Sequence, residues 1–154
     1  MRMSDDDIKA NPKFASYVKH KFPELIYVGP VVHNLKKHGS LTKDEIGHAL
    51  RWGNDPQIVI TDLSNNQCGV PSAFGCFEHA KPDQIEIDPQ FVTDFENDAY
   101  GAGLGKNAGG KGVFIAGVTL LHELCHWGNF KHGVAEAVEE GAAFEKATYG
   151  KIVP

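Results

Sequence analysis

Apolar residues in the first third of the chain fall into helical rather than alternating patterns. In "KFASYVKHKF", residues 13–22, Phe14, Tyr17, Val18 and Phe22 share one face, and Pro23 follows as a stop. "LIYVGPVV" has no clear period and reads as a strand or a packed loop. In "SLTKDEIGHALRWGN", Thr42 and Glu45 form a capping box, Ile46, Ala49 and Leu50 give the apolar face, and Gly53 ends the helix. The pattern then changes. "QIVITDL", residues 57–63, is a β-branched run suited to a buried strand. "FGCFEHA" and "QIEID" predict two more strands joined at "KPD", the second with Ile85 and Ile87 inward and Gln84, Glu86 and Asp88 on an exposed face.

"PQFVTDFENDAY" predicts a helix with Pro89 in its first turn. The glycine-rich "GAGLGKNAGGKG", residues 101–112, reads as a mobile loop able to act as a lid, and it lacks the spacing of a phosphate-binding loop. "VFIAGVTLLHELCHWGNF" predicts a core helix, and "AEAVEEGAAFEKATYG" a second helix with Gly150 just past its end. No repeat or linker divides the chain, so residues 1–154 are expected to form a single domain of α+β class.

Composition narrows the function. A net charge of −5 without a basic cluster disfavours nucleic acid and anionic membranes as partners. No apolar run is long enough to span a bilayer, and the acidic start "MRMSDDDIKANPKF" has no apolar signal region. The expected route is therefore delivery other than Sec export, or excision from a larger protein. Cys68 and Cys76 bracket the turn-rich "GVPSAFG" and could close a loop in an oxidising space; two free thiols are the favoured expectation.

The strongest chemistry lies at His122, Glu123 and His126. Imidazoles four residues apart on a helix share a face and can meet one cation. Glu123 lies about 100° around that helix, within reach of a water on the cation. This H-E-x-x-H arrangement is that of zinc metallopeptidases, where the glutamate acts as general base. Bare imidazoles in the apolar "VTLLHELCHW" would be costly without partners, which favours zinc over two half-exposed histidines.

A catalytic zinc normally has three protein ligands and an open position. His132 falls at the last position of the metzincin spacing H-E-x-x-H-x-x-G-x-x-H, but Asn129 replaces its glycine and both methionines lie at the N-terminus, away from any methionine turn. In gluzincins the third ligand often precedes a glycine. Glu140, before Gly141, is therefore the preferred ligand, with Glu139 as fallback and Glu136 a turn earlier. Tyr149, at the end of the same helix, is a candidate second electrophile; packing of the helix end is the competing role.

"LLHELCHWGNFKHG…EEGAAFEKATYG", residues 121–150, resembles the zincin-like metallopeptidase toxin domains of bacterial polymorphic toxin and type VI secretion systems, and "IEIDPQFVTDFEND" resembles the strand and helix preceding the zinc helix there. The resemblance implies a small twisted mixed sheet, a zinc helix beneath it and a following helix that brings the ligand. It implies Zn2+ on His122 and His126, Glu123 as base, and Glu140 or Glu139 as third ligand. It further implies an effector delivered into a competing cell, a peptide or protein substrate, a cognate immunity protein and a secretion-system delivery module. A zinc amidase of cell-wall peptides and a non-catalytic zinc-binding module are the alternatives.

Overall fold

Burial in the computed structural model, which describes residues 1–65 and 68–153, centres on the segment carrying His122 and His126. The elements follow in order: β1 (Arg2–Met3), α1 (Asp5–Ala10), α2 (Pro12–His20), a 3-10 helix (Phe22–Tyr27), α3 (Gly29–Gly39) and α4 (Lys43–Leu50), then β2 (Gln57–Ile60), β3 (Gly75–Cys76), β4 (Gln84–Ile87), α5 (Pro89–Asp98), β5 (Leu104–Lys106), β6 (Gly112–Phe114), α6 (Ile115–Lys131) and α7 (Glu140–Tyr149). The class is α+β. The main sheet has the order β1-β2-β4-β3. Its first three strands are parallel, and β3 runs antiparallel to β4 along the edge.

α6 has buried residues all around its circumference, from Ala116 to Asn129, as expected of a helix that is apolar on every side. The sheet covers part of it, and α3 and α7 cover more. α3 approaches closely because Gly39 and Gly128 face each other across the crossing; a Cβ on Gly39 would lie 3.0 Å from the Cα of Cys125. Apolar side chains from Met1 to Phe144 join this core. At its far end the rings of Tyr17, Phe95 and Phe114 cluster with centroids 4.8 to 5.4 Å apart.

Several elements differ from expectation. "LIYVGPVV" is neither strand nor loop: it belongs to the 3-10 helix and α3, with Pro30 in the first turn of α3 and Val31 and Leu35 four apart on its buried face. The β-branched run hid that period. The acidic start forms β1 and α1, the latter capped by Ser4 Oγ, which accepts from Asp7 N at 3.2 Å. The glycine-rich stretch is not a loose lid but the β5–β6 hairpin. Asn107 closes its turn, its Oδ1 accepting from Lys111 N at 2.9 Å, and Ala108 N donates to Tyr149 O at 2.8 Å, which ties the hairpin to the end of α7. Glu86 is not on an exposed face; it is 4% exposed and pairs with Lys81 at 2.7 Å.

The second helix begins at Glu140, because residues 133–139 form an irregular segment whose acids are drawn to the histidines. Cys68 and Cys76 are paired as a disulfide, contrary to the favoured expectation of free thiols; the fold brings their Cα atoms to 5.8 Å, inside the bridging range. Cys125 is the buried free thiol. Among the described residues no helix is long and apolar enough to cross a membrane.

The capping box at α4 forms as expected, with Glu45 N donating to Thr42 Oγ1 at 3.2 Å and Thr42 N to Glu45 Oε2 at 2.8 Å. Thr42→Ala should therefore lower unfolding stability by about 1 kcal/mol in denaturant titrations. Metal content should not change, since Thr42 lies outside the histidine cluster.

Candidate metal centre

The imidazoles of His122 and His126 project from the same side of α6 with ring centroids 5.2 Å apart. The chain then turns through Gly133 and folds back along them. Asn129 holds this return. Its Nδ2 donates to His38 O at 2.7 Å and to Glu136 Oε1 at 3.0 Å, its Oδ1 accepts from Ser40 Oγ at 2.6 Å, and its carbonyl accepts from Val134 N at 2.9 Å. The residue that departs from the metzincin spacing is thus a fully bonded buried strut.

Glu139 ends the return as the N-cap of α7, one carboxylate oxygen accepting from Ala142 N. Its other oxygen, Oε1, lies 3.1 Å from His122 Nε2 and 2.7 Å from His126 Nε2. Gly141 makes this approach possible, because a Cβ there would run into the His122 ring. The opposite ring nitrogens are also engaged. His122 Nδ1 lies 2.6 Å from Glu145 Oε1, and His126 Nδ1 lies 2.8 Å from Glu136 Oε2. With Nδ1 donating to a carboxylate, a neutral imidazole turns the lone pair of Nε2 toward the common point. The Nε2 atoms and the Glu139 carboxylate lie within 4.8 Å of one another. Two imidazoles and a carboxylate on one point, each imidazole backed by an acid, fit a divalent cation.

Charge at the site favours a cation. Burial alone would disfavour a protonated ring at His122, but hydrogen bonds to Glu139 and Glu145 and the charge of Glu123 outweigh it and raise its pKa to about 10. His126 is raised against burial in the same way, and Glu139 is lowered against burial by both rings. Glu123 is 6% exposed, and burial, opposed by the two imidazoles, pushes its carboxyl up to about 7. Its Oε1 lies 3.9 Å from His122 Nε2, beside the three-residue group and not within it.

The other expected residues lie elsewhere. Glu140 is not brought to the imidazoles; one residue beyond the cap, it turns to α3 and pairs with His38 Nδ1 at 2.9 Å. His132 faces the Glu45 carboxylate at 3.0 Å. Tyr149 is absent from the described cleft lining; its ring packs edge-on against Phe144 with centroids 6.1 Å apart, and burial raises its phenol. Sequence reasoning missed Glu145 and placed Glu136 only among the acids near the third-ligand position. The available signal was chemical: two imidazoles that turn Nε2 to a common point need two acceptors behind them, and the acids downstream are the nearest supply.

A cleft of about 490 Å³ opens over this group, with His122, Glu123, His126 and Glu139 in its floor and β3 along one side. An H-E-x-x-H helix with a downstream carboxylate against both imidazoles, at the base of a cleft, is the arrangement of a metallopeptidase. The sequence profile of the metallopeptidase toxin 3 family matches residues 7–150, and the chain belongs to that family. No curated protein and no solved structure matches the chain.

Replacing each acid in turn separates the two neighbouring glutamates. Glu139→Ala should lose bound metal after dialysis against stoichiometric zinc, measured by elemental analysis, whereas Glu140→Ala should keep it and lose only the His38 tie. Retention by Glu139→Ala together with loss by Glu140→Ala would reverse the assignment.

Proposed function

We propose that the domain is a zinc-dependent endopeptidase acting as a delivered antibacterial toxin. His122, His126 and Glu139 would be its ligands and Glu123 its general base. The carrying observation is the Glu139 oxygen that faces both Nε2 atoms while Glu123 lies beside them on the cleft floor. A set of two imidazoles and one carboxylate suits zinc and leaves a position open. The engagement of His132 by Glu45 supports an open centre over a closed structural one.

Zinc bound there would polarise the scissile carbonyl and acidify the attacking water. Glu123 accepts a proton from that water as the new C–O bond forms, and returns it to the amine nitrogen as the C–N bond breaks. Glu136 and Glu145 hold the two rings in the tautomer and orientation that ligation needs. Tyr149 has no part in this scheme.

β3 supports substrate binding by strand addition. It lies at the sheet edge, and Gly75 brings it so close to α6 that a Cβ there would sit 2.8 Å from Glu123 Cγ. An extended peptide paired to β3 would pass directly over Glu123. Membership of a toxin family supports delivery into a target cell, with a cognate immunity protein in the producer; the route proposed is a non-Sec one. An amidase acting on cell-wall peptides would use the same centre.

Glu123→Gln should keep zinc and lose turnover by about 10²- to 10⁴-fold, as expected when a general base is removed. The test is cleavage of an unfolded protein substrate and of purified peptidoglycan, with zinc content measured in parallel. Wild-type turnover by Glu123→Gln would remove it from the reaction, and cleavage of peptidoglycan alone would favour the amidase.

A further inference from the structure

Part of the cleft lining is apolar and belongs to neither the histidine–glutamate group nor the core. Val70 and Phe74, on the segment before β3, are 53% and 37% exposed, and Ile152, which lines the same cleft, is 47% exposed. This lining is fixed in place. The Cys68–Cys76 disulfide closes the segment that carries Val70 and Phe74. Phe74 stacks on Phe91 with ring centroids 4.0 Å apart. Next to Ile152, Val153 N donates to Glu145 Oε2 at 2.6 Å, and the same carboxylate's Oε1 meets His122. Glu145 therefore ties the segment that carries Ile152 to the His122 imidazole.

The polar lining complements this. Among the described residues lining the cleft there is no lysine or arginine to receive a substrate carboxylate. Each acid there is already engaged: Glu139 and Glu145 pair with the imidazoles and Glu123 is buried beside them, so none is free to receive a substrate α-amino group. A charged chain end would be desolvated without a partner. A bulky apolar side chain would instead be buried against a preformed surface.

Resting on the peptidase reading above, we propose that Val70, Phe74 and Ile152 form the primary specificity subsite. The subsite takes a bulky apolar side chain next to the scissile bond, so the substrates are apolar positions inside extended protein segments. Chain ends and the acidic stem peptides of the cell wall are excluded.

Two measurements test this. End-blocked peptides that differ at one residue beside the cut should show kcat/KM at least about ten-fold higher for leucine or phenylalanine than for glycine or aspartate. Phe74→Ser and Ile152→Ser should erase that ratio without changing zinc content. Equal rates across the series, or a requirement for free termini, would overturn the proposal. The second measurement needs no turnover: calorimetric titration of the zinc-loaded Glu123→Gln protein with the N-acetylated hydroxamates of phenylalanine and of glycine. The former should bind about ten-fold tighter, and Phe74→Ser should remove the difference. Equal affinities would refute the subsite. Selective hydroxamate binding without cleavage of any peptide would keep the subsite and reject the peptidase reading instead.

Discussion

Two imidazoles on a helix buried on all sides set the constraint that the rest of the site answers. Each ring carries two polar nitrogens that cannot be left bare in such surroundings. The fold supplies Glu136 and Glu145 behind the rings and Glu139 in front. Three carboxylates cannot reach two neighbouring rings from one regular helix, so the chain leaves α6, crosses back as an irregular segment and re-enters as α7. The cap of α7 and the carboxylate that faces both imidazoles are one side chain, Glu139. Helix formation and site assembly are coupled through that carboxylate.

Close approach is the second requirement. Gly141 lets α7 reach His122, and Gly75 lets the edge strand reach Glu123. A Cβ at Gly141 would run into the His122 ring, and one at Gly75 into the side chains of Thr119 and Glu123, so either would disturb the group it adjoins. The same economy appears at Glu145, whose two oxygens link an imidazole to the segment that carries Ile152 and Val153. The wall of the cleft and the centre in its floor are built from shared groups.

What the sequence made legible followed the range of the interactions. Local signals worked: the capping box at Thr42, the helix with Pro89 in its first turn, and the helix bearing His122 and His126. The glycine-rich stretch misled because composition does not report the Asn107 turn or the tie to Tyr149 that order it. The Val-Gly-Pro-Val run concealed α3 because β-branched residues also suit strands. Glu139 and Glu140 could not be told apart from an acid-glycine pattern. A one-residue difference in where α7 begins puts one carboxylate on the histidines and the other on His38, and the acid-glycine pattern does not report that start. Tyr149 was placed by sequence proximity, while packing sends its ring toward Phe144.

Anomalous diffraction at the zinc edge from crystals of the zinc-loaded protein tests the central assignment most directly. It should reveal a single ion bonded to the Nε2 atoms of His122 and His126 and to a Glu139 oxygen, each at about 2.0–2.2 Å, with Glu140 still on His38. An ion bonded to Glu140 or His132 in place of Glu139, or no ion between the two imidazoles, would contradict it.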